Sequence, residues 1–167
     1  VVGEVTYNAN TGRVFIYDDV GGVWTQRGSP INCPNYADEW FGRGVCISED
    51  GEVLLVGQQK LPYYGRVQVY DRNGTGWTYR NYFTMGTNRQ YDFGHGIAMS
   101  QDKNTVVVGA SMAGWTDTNA GAFHIFRLAG GVYTQEGAYH EQTTPLENAR
   151  LGYRVDISQD GTVVFAT

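Results

Sequence analysis

Three stretches of this chain are versions of one another. Residues 41–57 are FGRGVCISEDGEVLLVG, residues 93–109 are FGHGIAMSQDKNTVVVG, and residues 151–167 are LGYRVDISQDGTVVFAT. They recur at intervals of roughly 50–60 residues, the signature of a repeat architecture in which each unit buries its apolar face against its neighbours. Each stretch is itself a hairpin. In the second unit, residues 44–48 form a strand (a), Glu49-Asp50-Gly51 turns, and residues 52–56 return as a strand (b). The run Val53-Leu54-Leu55-Val56 is apolar on both faces of a strand, so strand b is expected to lie between two sheets.

A second hairpin follows each of the first two stretches and also stands near the start of the chain. Residues 13–17 (RVFIY), 66–70 (RVQVY) and 122–126 (AFHIF) alternate as strands (c). Asp18–Gly22, Asp71–Gly76 and Arg127–Gly131 turn, with Asn-Gly or Gly-Gly tips that accept positive φ. Val23–Arg27, Trp77–Asn81 and Val132–Gln135 close the pairs as outer strands (d). No long helical period is present. Units of four short antiparallel strands at this spacing predict an all-β, β-propeller-type array of blades. The boundaries are a partial blade over 1–40, blades over 41–92 and 93–150, and a partial blade over 151–167, about three blades' worth of strand. Both ends of the sequence fall within strands. The array is therefore expected to belong to a larger propeller or to an assembly completed by other copies.

The composition agrees and removes some functions. Charged residues are 17%, with 23 Gly and 12 Tyr, a profile of many strands and tight turns. The formal charge of −5 argues against nucleic-acid binding, which needs a basic stripe. No apolar run reaches the length of a membrane span.

The ordered motifs resemble the FG-GAP repeats of integrin α-chain-type propellers. Phe41-Gly42 and Phe93-Gly94 match the FG element, with Leu151-Gly152 as a variant. The GAP element is degenerate, as Gly57-Gln58-Gln59 and Gly109-Ala110-Ser111, with Gly3-Glu4-Val5 in the first repeat. The resemblance covers essentially the whole chain. It implies a non-catalytic extracellular or cell-surface scaffold in adhesion, surface assembly or other protein–protein contact. Calcium loops of that family are not matched: Asp50, Asp102 and Asp160 stand in turns with one or two carboxylates, too few oxygens for the ion, so no cofactor is expected. Those turns read as hairpin turns closed by Ser and Asp on local backbone N–H groups.

Other candidate sites are local. The loops joining strands b and c, residues 58–65 and 110–121, carry Tyr63, Tyr64, Met112 and Trp115, residue types enriched at recognition surfaces. The alternative is that they anchor the loops to their own blades. The loops from d to the next a carry Tyr36, Trp40, Tyr91 and Tyr139. Asn73-Gly74-Thr75 is an N-glycosylation acceptor at a hairpin tip. Cys33 and Cys46 are either separate buried thiols or a disulfide, and the disulfide would point outside the cell. Asp92-Phe93-Gly94 spells the DFG of kinases, but the rest of that signature is missing, and Phe93-Gly94 belongs to the repeat. Gly109-Ala110-Ser111-Met112-Ala113 is a near miss of a nucleophile elbow, without the helix that an elbow needs. His95, His124 and His140 have no metal-like spacing. No catalytic residue and no metal ligand is expected. Two further readings stand beside the scaffold: a filament subunit built by head-to-tail strand donation, and a carbohydrate-active or other enzyme.

Overall fold

The computed structural model describes residues 1–34, 39–59, 65–85, 92–113, 119–144 and 146–167. The chain is all-β. Its first unit comprises β1 (Val2–Glu4), β2 (Arg13–Phe15), β3 (Tyr17–Val20), β4 (Val23–Gln26) and β5 (Ile31–Asn32). The second comprises β6 (Val45–Ile47), β7 (Val53–Gln59), β8 (Gly65–Asn73) and β9 (Gly76–Phe83). The third comprises β10 (Phe93–Met99), β11 (Thr105–Ala110), β12 (Ala122–Ala129) and β13 (Val132–Gln135). The last pair is β14 (Val155–Ile157) and β15 (Val164–Ala166).

The second and third units are four-stranded antiparallel meanders in the expected order a-b-c-d, β6-β7-β8-β9 and β10-β11-β12-β13. The first unit differs. Its strand c is divided at Ile16, so that β1-β2-β5 and β3-β4 are separate sheets. Gly28, at φ 61, breaks the outer strand there, and β5 resumes the pairing with β2. A further difference lies between β1 and β2. A four-residue helical segment stands there, Tyr7–Asn10, in which Asn8, Ala9 and Asn10 all take positive φ.

Strand β7 is buried on both faces, as its apolar run predicts. Val53 and Leu55 enter one core cluster with Val67, Val69, Phe83, Phe93, Val108 and Phe126. Leu54 and Val56 enter the other with Val14, Ile16, Phe41 and Tyr70. The alternation follows from the pleat of the strand. One β-strand therefore joins the cores on its two sides, and the sheets stack face to face through it.

The seams between units are the same contact made three times. At the middle seam, an added Cβ on Gly57 would lie 2.0 Å from the carbonyl oxygen of Gly94, and one on Gly65 would lie 1.9 Å from that of Phe93. Gly3 and Gly12 meet Gly42 and Phe41 in the same way, and Gly109 and Gly121 meet Gly152 and Leu151. The glycine that ends strand b, the glycine that opens strand c and the Phe/Leu-Gly of the next unit thus pack backbone on backbone. The residue ahead of each Phe/Leu-Gly is left-handed: Trp40 (φ 42), Asp92 (φ 73) and Arg150 (φ 56). At the outer seams the bonds match as well. Phe41 N–H donates to Thr11 O at 3.1 Å, and Leu151 N–H donates to Ala120 O at 2.8 Å.

The a–b turns also recur. The Ser48, Ser100 and Ser158 hydroxyls each donate to the aspartate two residues on, at 2.6 Å. Each serine oxygen in turn accepts an N–H from strand b, from Val53 (2.9 Å), Thr105 (3.0 Å) and Val163 (2.9 Å). The carboxylates of Asp50, Asp102 and Asp160 are thereby bound to local donors, as the sequence leads one to expect. Lys103 donates to Asp50, and Gln101 N–H donates to Gln159 O at 3.0 Å, so successive turns are tied together. Lys103, followed by Ser48 and the Glu52 N–H, holds the Asp50 carboxyl down at about 2. Ser100→Ala is expected to lower stability by about 1–2 kcal/mol in urea denaturation with an unchanged m-value, because the N–H of buried Thr105 loses its acceptor.

Candidate functional site

The starts of the a strands converge on a depression of about 460 Å³. Three equivalent segments line it, beginning at Arg43, His95 and Tyr153, the residues that follow each Phe/Leu-Gly. Gly44 and Gly96 let these segments approach: a Cβ on Gly44 would lie 2.1 Å from the Gly94 oxygen.

Behind the depression, Arg43 reaches a buried polar network centred on Asp92. Arg43 Nη1 lies 3.5 Å from Asp92 Oδ1 and donates to Gln59 Oε1 at 3.1 Å. The Ser111 hydroxyl donates to Asp92 Oδ2, and Gln59 Nε2 donates to the Asp92 carbonyl at 3.3 Å. The Arg43 guanidinium also sits 4.9 Å over the Trp40 ring. His95 lies tilted on Tyr153, with ring centroids 4.3 Å apart, and its Nδ1 is 3.0 Å from the Tyr153 carbonyl. A carbonyl only accepts, so Nδ1 carries the proton and Nε2 is the acceptor of the neutral ring. Burial lowers the His95 pKa, against the opposing pull of Asp92 and the Tyr153 carbonyl. Arg154 completes the rim. The side chains on this depression are the guanidiniums of Arg43 and Arg154, the imidazole of His95 and the aromatic face of Tyr153, with buried Asp92 behind Arg43. They suit recognition of a polar group.

A second polar feature was not legible as such. Glu39, Gln58, Gln68 and Tyr70 form a buried chain between the first two units. The Tyr70 hydroxyl donates to Gln68 Oε1 at 2.6 Å, Gln68 Nε2 donates to Gln58 Oε1, and Gln58 Nε2 donates to Glu39 Oε2. Cys33 Sγ also donates to Glu39 Oε2 at 3.3 Å. The available signal was Gln58 itself, which stands where the third unit has Ala110.

The predicted site residues are distributed as follows. Tyr63, Tyr64 and Trp115, with Tyr36 and Tyr91, lie outside the described residues. Met112 is half-buried beside Ser111, in the turn after β11. Asn73 is exposed at the β8–β9 hairpin tip, where its amide donates to Thr78 Oγ1 at 3.2 Å. The disulfide reading is corrected: Cys33 and Cys46 are not joined. Cys33 belongs to the cluster of the first unit, whereas Cys46 packs against the cluster on the opposite side of β7. Burial raises the Cys46 thiol to about 11, which makes it a poor nucleophile. Among the described residues, no group of three or more His, Cys, Asp or Glu side chains is placed to hold a metal ion, and no helix is long and apolar enough to cross a membrane. The chain matches no family model and no curated protein.

Proposed function

We propose that this chain is a stretch of a β-propeller and serves, outside the cell or at its surface, as a non-catalytic scaffold in adhesion or surface assembly. The observation that carries the reading is the seam. One glycine–glycine–Phe/Leu-Gly contact is used at all three junctions, so each sheet is set on the last by the same geometry. Repetition of one rotation is how blades are carried round an axis, and the a strands, whose starts line one depression, take the innermost place. The FG-GAP resemblance and the exposed acceptor triplet at Asn73 support the surface location. The depression of Arg43, His95, Tyr153 and Arg154 supports binding of a polar group, because two guanidiniums and an aromatic ring line it.

The test is the mass of the native polypeptide, denatured, reduced and deglycosylated, together with its labelling on intact cells by a membrane-impermeant amine reagent. A closed propeller takes typically about four to eight blades. The expected result is a labelled polypeptide well above the 18.5 kDa of these 167 residues. Absence of label on intact cells would overturn the surface reading. A mass near 18.5 kDa with concentration-dependent polymers would put the filament reading in its place.

A further inference from the structure

A groove of about 480 Å³ runs between the first unit, at Asn32 and Pro34, and the outer half of the second. Its volume is in the range of small-ligand sites. Its second wall carries Trp77, Tyr79 and Tyr82 from β9, with Tyr70 from β8 below them. The Tyr70 and Tyr79 rings meet edge to face at 5.7 Å, and the Arg66 guanidinium lies 5.4 Å over Tyr82. Gln68 lies deep in the same wall, fixed by Tyr70 and Gln58.

The internal repeats separate what the fold needs from what it does not. Register makes Trp24, Trp77 and Tyr133 equivalent, each being paired with the second residue after the aromatic of strand c: Asp19↔Trp24, Arg72↔Trp77 and Leu128↔Tyr133. At the position of Tyr79 the other units therefore have Gln26 and Gln135; beyond it β9 carries a bulge, and by the pairing Phe123↔His140 the counterpart of Tyr82 in the third unit is Tyr139. The same outer hairpin forms in those units without a tyrosine at the place of Tyr79. Tyr79 and Tyr82 are both 49% exposed, so core packing does not account for them. The wall holds one more unexplained group: the indole N–H of Trp77 is buried with no acceptor among the described residues.

From this we infer that the groove binds a hexopyranose unit of a glycan chain. A pyranose has an apolar C–H face and a rim of hydroxyls that both donate and accept. Half-exposed tyrosine and tryptophan rings match the face. A planar amide and a guanidinium at the edge, here Asn32 and Arg66, match the rim. A purely apolar ligand would bury those groups without partners. A nucleotide phosphate would need more than the one arginine of this wall. The inference does not depend on blade number or on the scaffold role.

The test is titration of the ¹⁵N-labelled chain with cellohexaose, chitohexaose and mannohexaose, and separately with a proline decamer, the other ligand that aromatic grooves take. The reporter is the Trp77 indole N–H resonance, assigned by its loss in Trp77→Phe. The expected result is a saturable shift with at least one hexaose, with a dissociation constant in the millimolar range or tighter. Tyr79→Ala and Tyr82→Ala are each expected to weaken it by about tenfold or more. Trp24→Ala, on the equivalent strand of the first unit, is expected to leave it unchanged. No saturable shift with any hexaose overturns the inference. So does binding indifferent to both tyrosine substitutions, or binding of the proline decamer alone.

Discussion

Gly57→Ala is expected to lower the stability of this chain by about 4 kcal/mol or more, a fall in Tm on the order of 10 °C for a chain of this size. Gly57 has no special backbone conformation to lose, since its φ is not positive. The effect comes from space alone. The new methyl carbon would stand 2.0 Å from the Gly94 oxygen and 3.3 Å from the Gly44 oxygen. Both are backbone atoms and neither can rotate away. Relief requires the second and third sheets to separate at the seam, which opens the cluster of Leu55, Val67, Phe93 and Val108 on that side of β7. Overpacking in a well-filled core ordinarily costs about 1–3 kcal/mol. A clash of backbone with backbone, shared by two sheets, belongs above that range. Gly76→Ala is the control, because its nearest neighbour would be the Asn73 oxygen at 3.7 Å and its φ is ordinary. It is expected to be neutral or slightly stabilising through loss of unfolded-state entropy. Denaturation of the two variants side by side would check the seam directly. Equal stabilities would mean that the sheets do not depend on this close approach.

The features legible in the sequence are those fixed within one unit. Strand order a-b-c-d followed from hairpin chemistry, because Glu49-Asp50-Gly51 and Asn73-Gly74 can do little but turn. The double burial of β7 followed from Val53-Leu54-Leu55-Val56. What was not legible depends on the neighbouring unit. Gln58, Gln68 and Glu39 are residues usually found at surfaces, yet all three are buried because each unit covers the next. The break of strand c at Ile16 falls where its pairing with β1 ends at Phe15; β12 of the third unit, backed by β11 as far as Arg127, runs on although Gly137 (φ 68) stands at the place of Gly28. The exposure of Tyr79 and Tyr82 is not legible in the sequence, because the exposed face of an outer strand does not follow from its own alternation. The sequence places its candidate recognition aromatics in the b–c loops, where long insertions usually carry binding residues. The groove instead uses the face of a regular strand. The sequence did contain its signal, in the mismatch between Tyr79 and its counterparts Gln26 and Gln135 in the other two units.

The same comparison between units singles out His124. It occupies the place of Phe15 and Gln68 and is 0% exposed in β12, paired with Val108. Neither ring nitrogen has a hydrogen-bond partner among the described residues. Its neighbours are the edge-to-face ring of Phe93 at 5.8 Å and the ring of Tyr139 at 5.9 Å. The ionisable group that bears on it is His140, a second base, which stacks on Phe123 at 4.8 Å. Burial first, and His140 second, push its pKa down from 6.5 to about 3. The folded state thus binds neutral imidazole, while the unfolded chain takes up a proton below about pH 6.5. Stability is therefore full above that pH and is lost as pH falls towards 3. Linkage gives about 1.4 kcal/mol per pH unit within the window, or about 2–3 kcal/mol between pH 6.5 and 4.5. His95 shifts in the same direction and adds to the slope. The lowered carboxyls of Asp50, Asp102 and Asp160 lose their contributions only in more acid solution. Urea denaturation at pH 7 and pH 4.5 is expected to show this loss in the native chain. His124→Phe and His124→Gln, which place at this position the residues of the other two units, are expected to remove about 2 kcal/mol or more of the difference between the two pH values, whatever they do to stability at neutral pH. If the difference survives in both variants, the acid sensitivity in this window lies at His95 and not at His124. The interior at β12 would then be accommodating the charged ring.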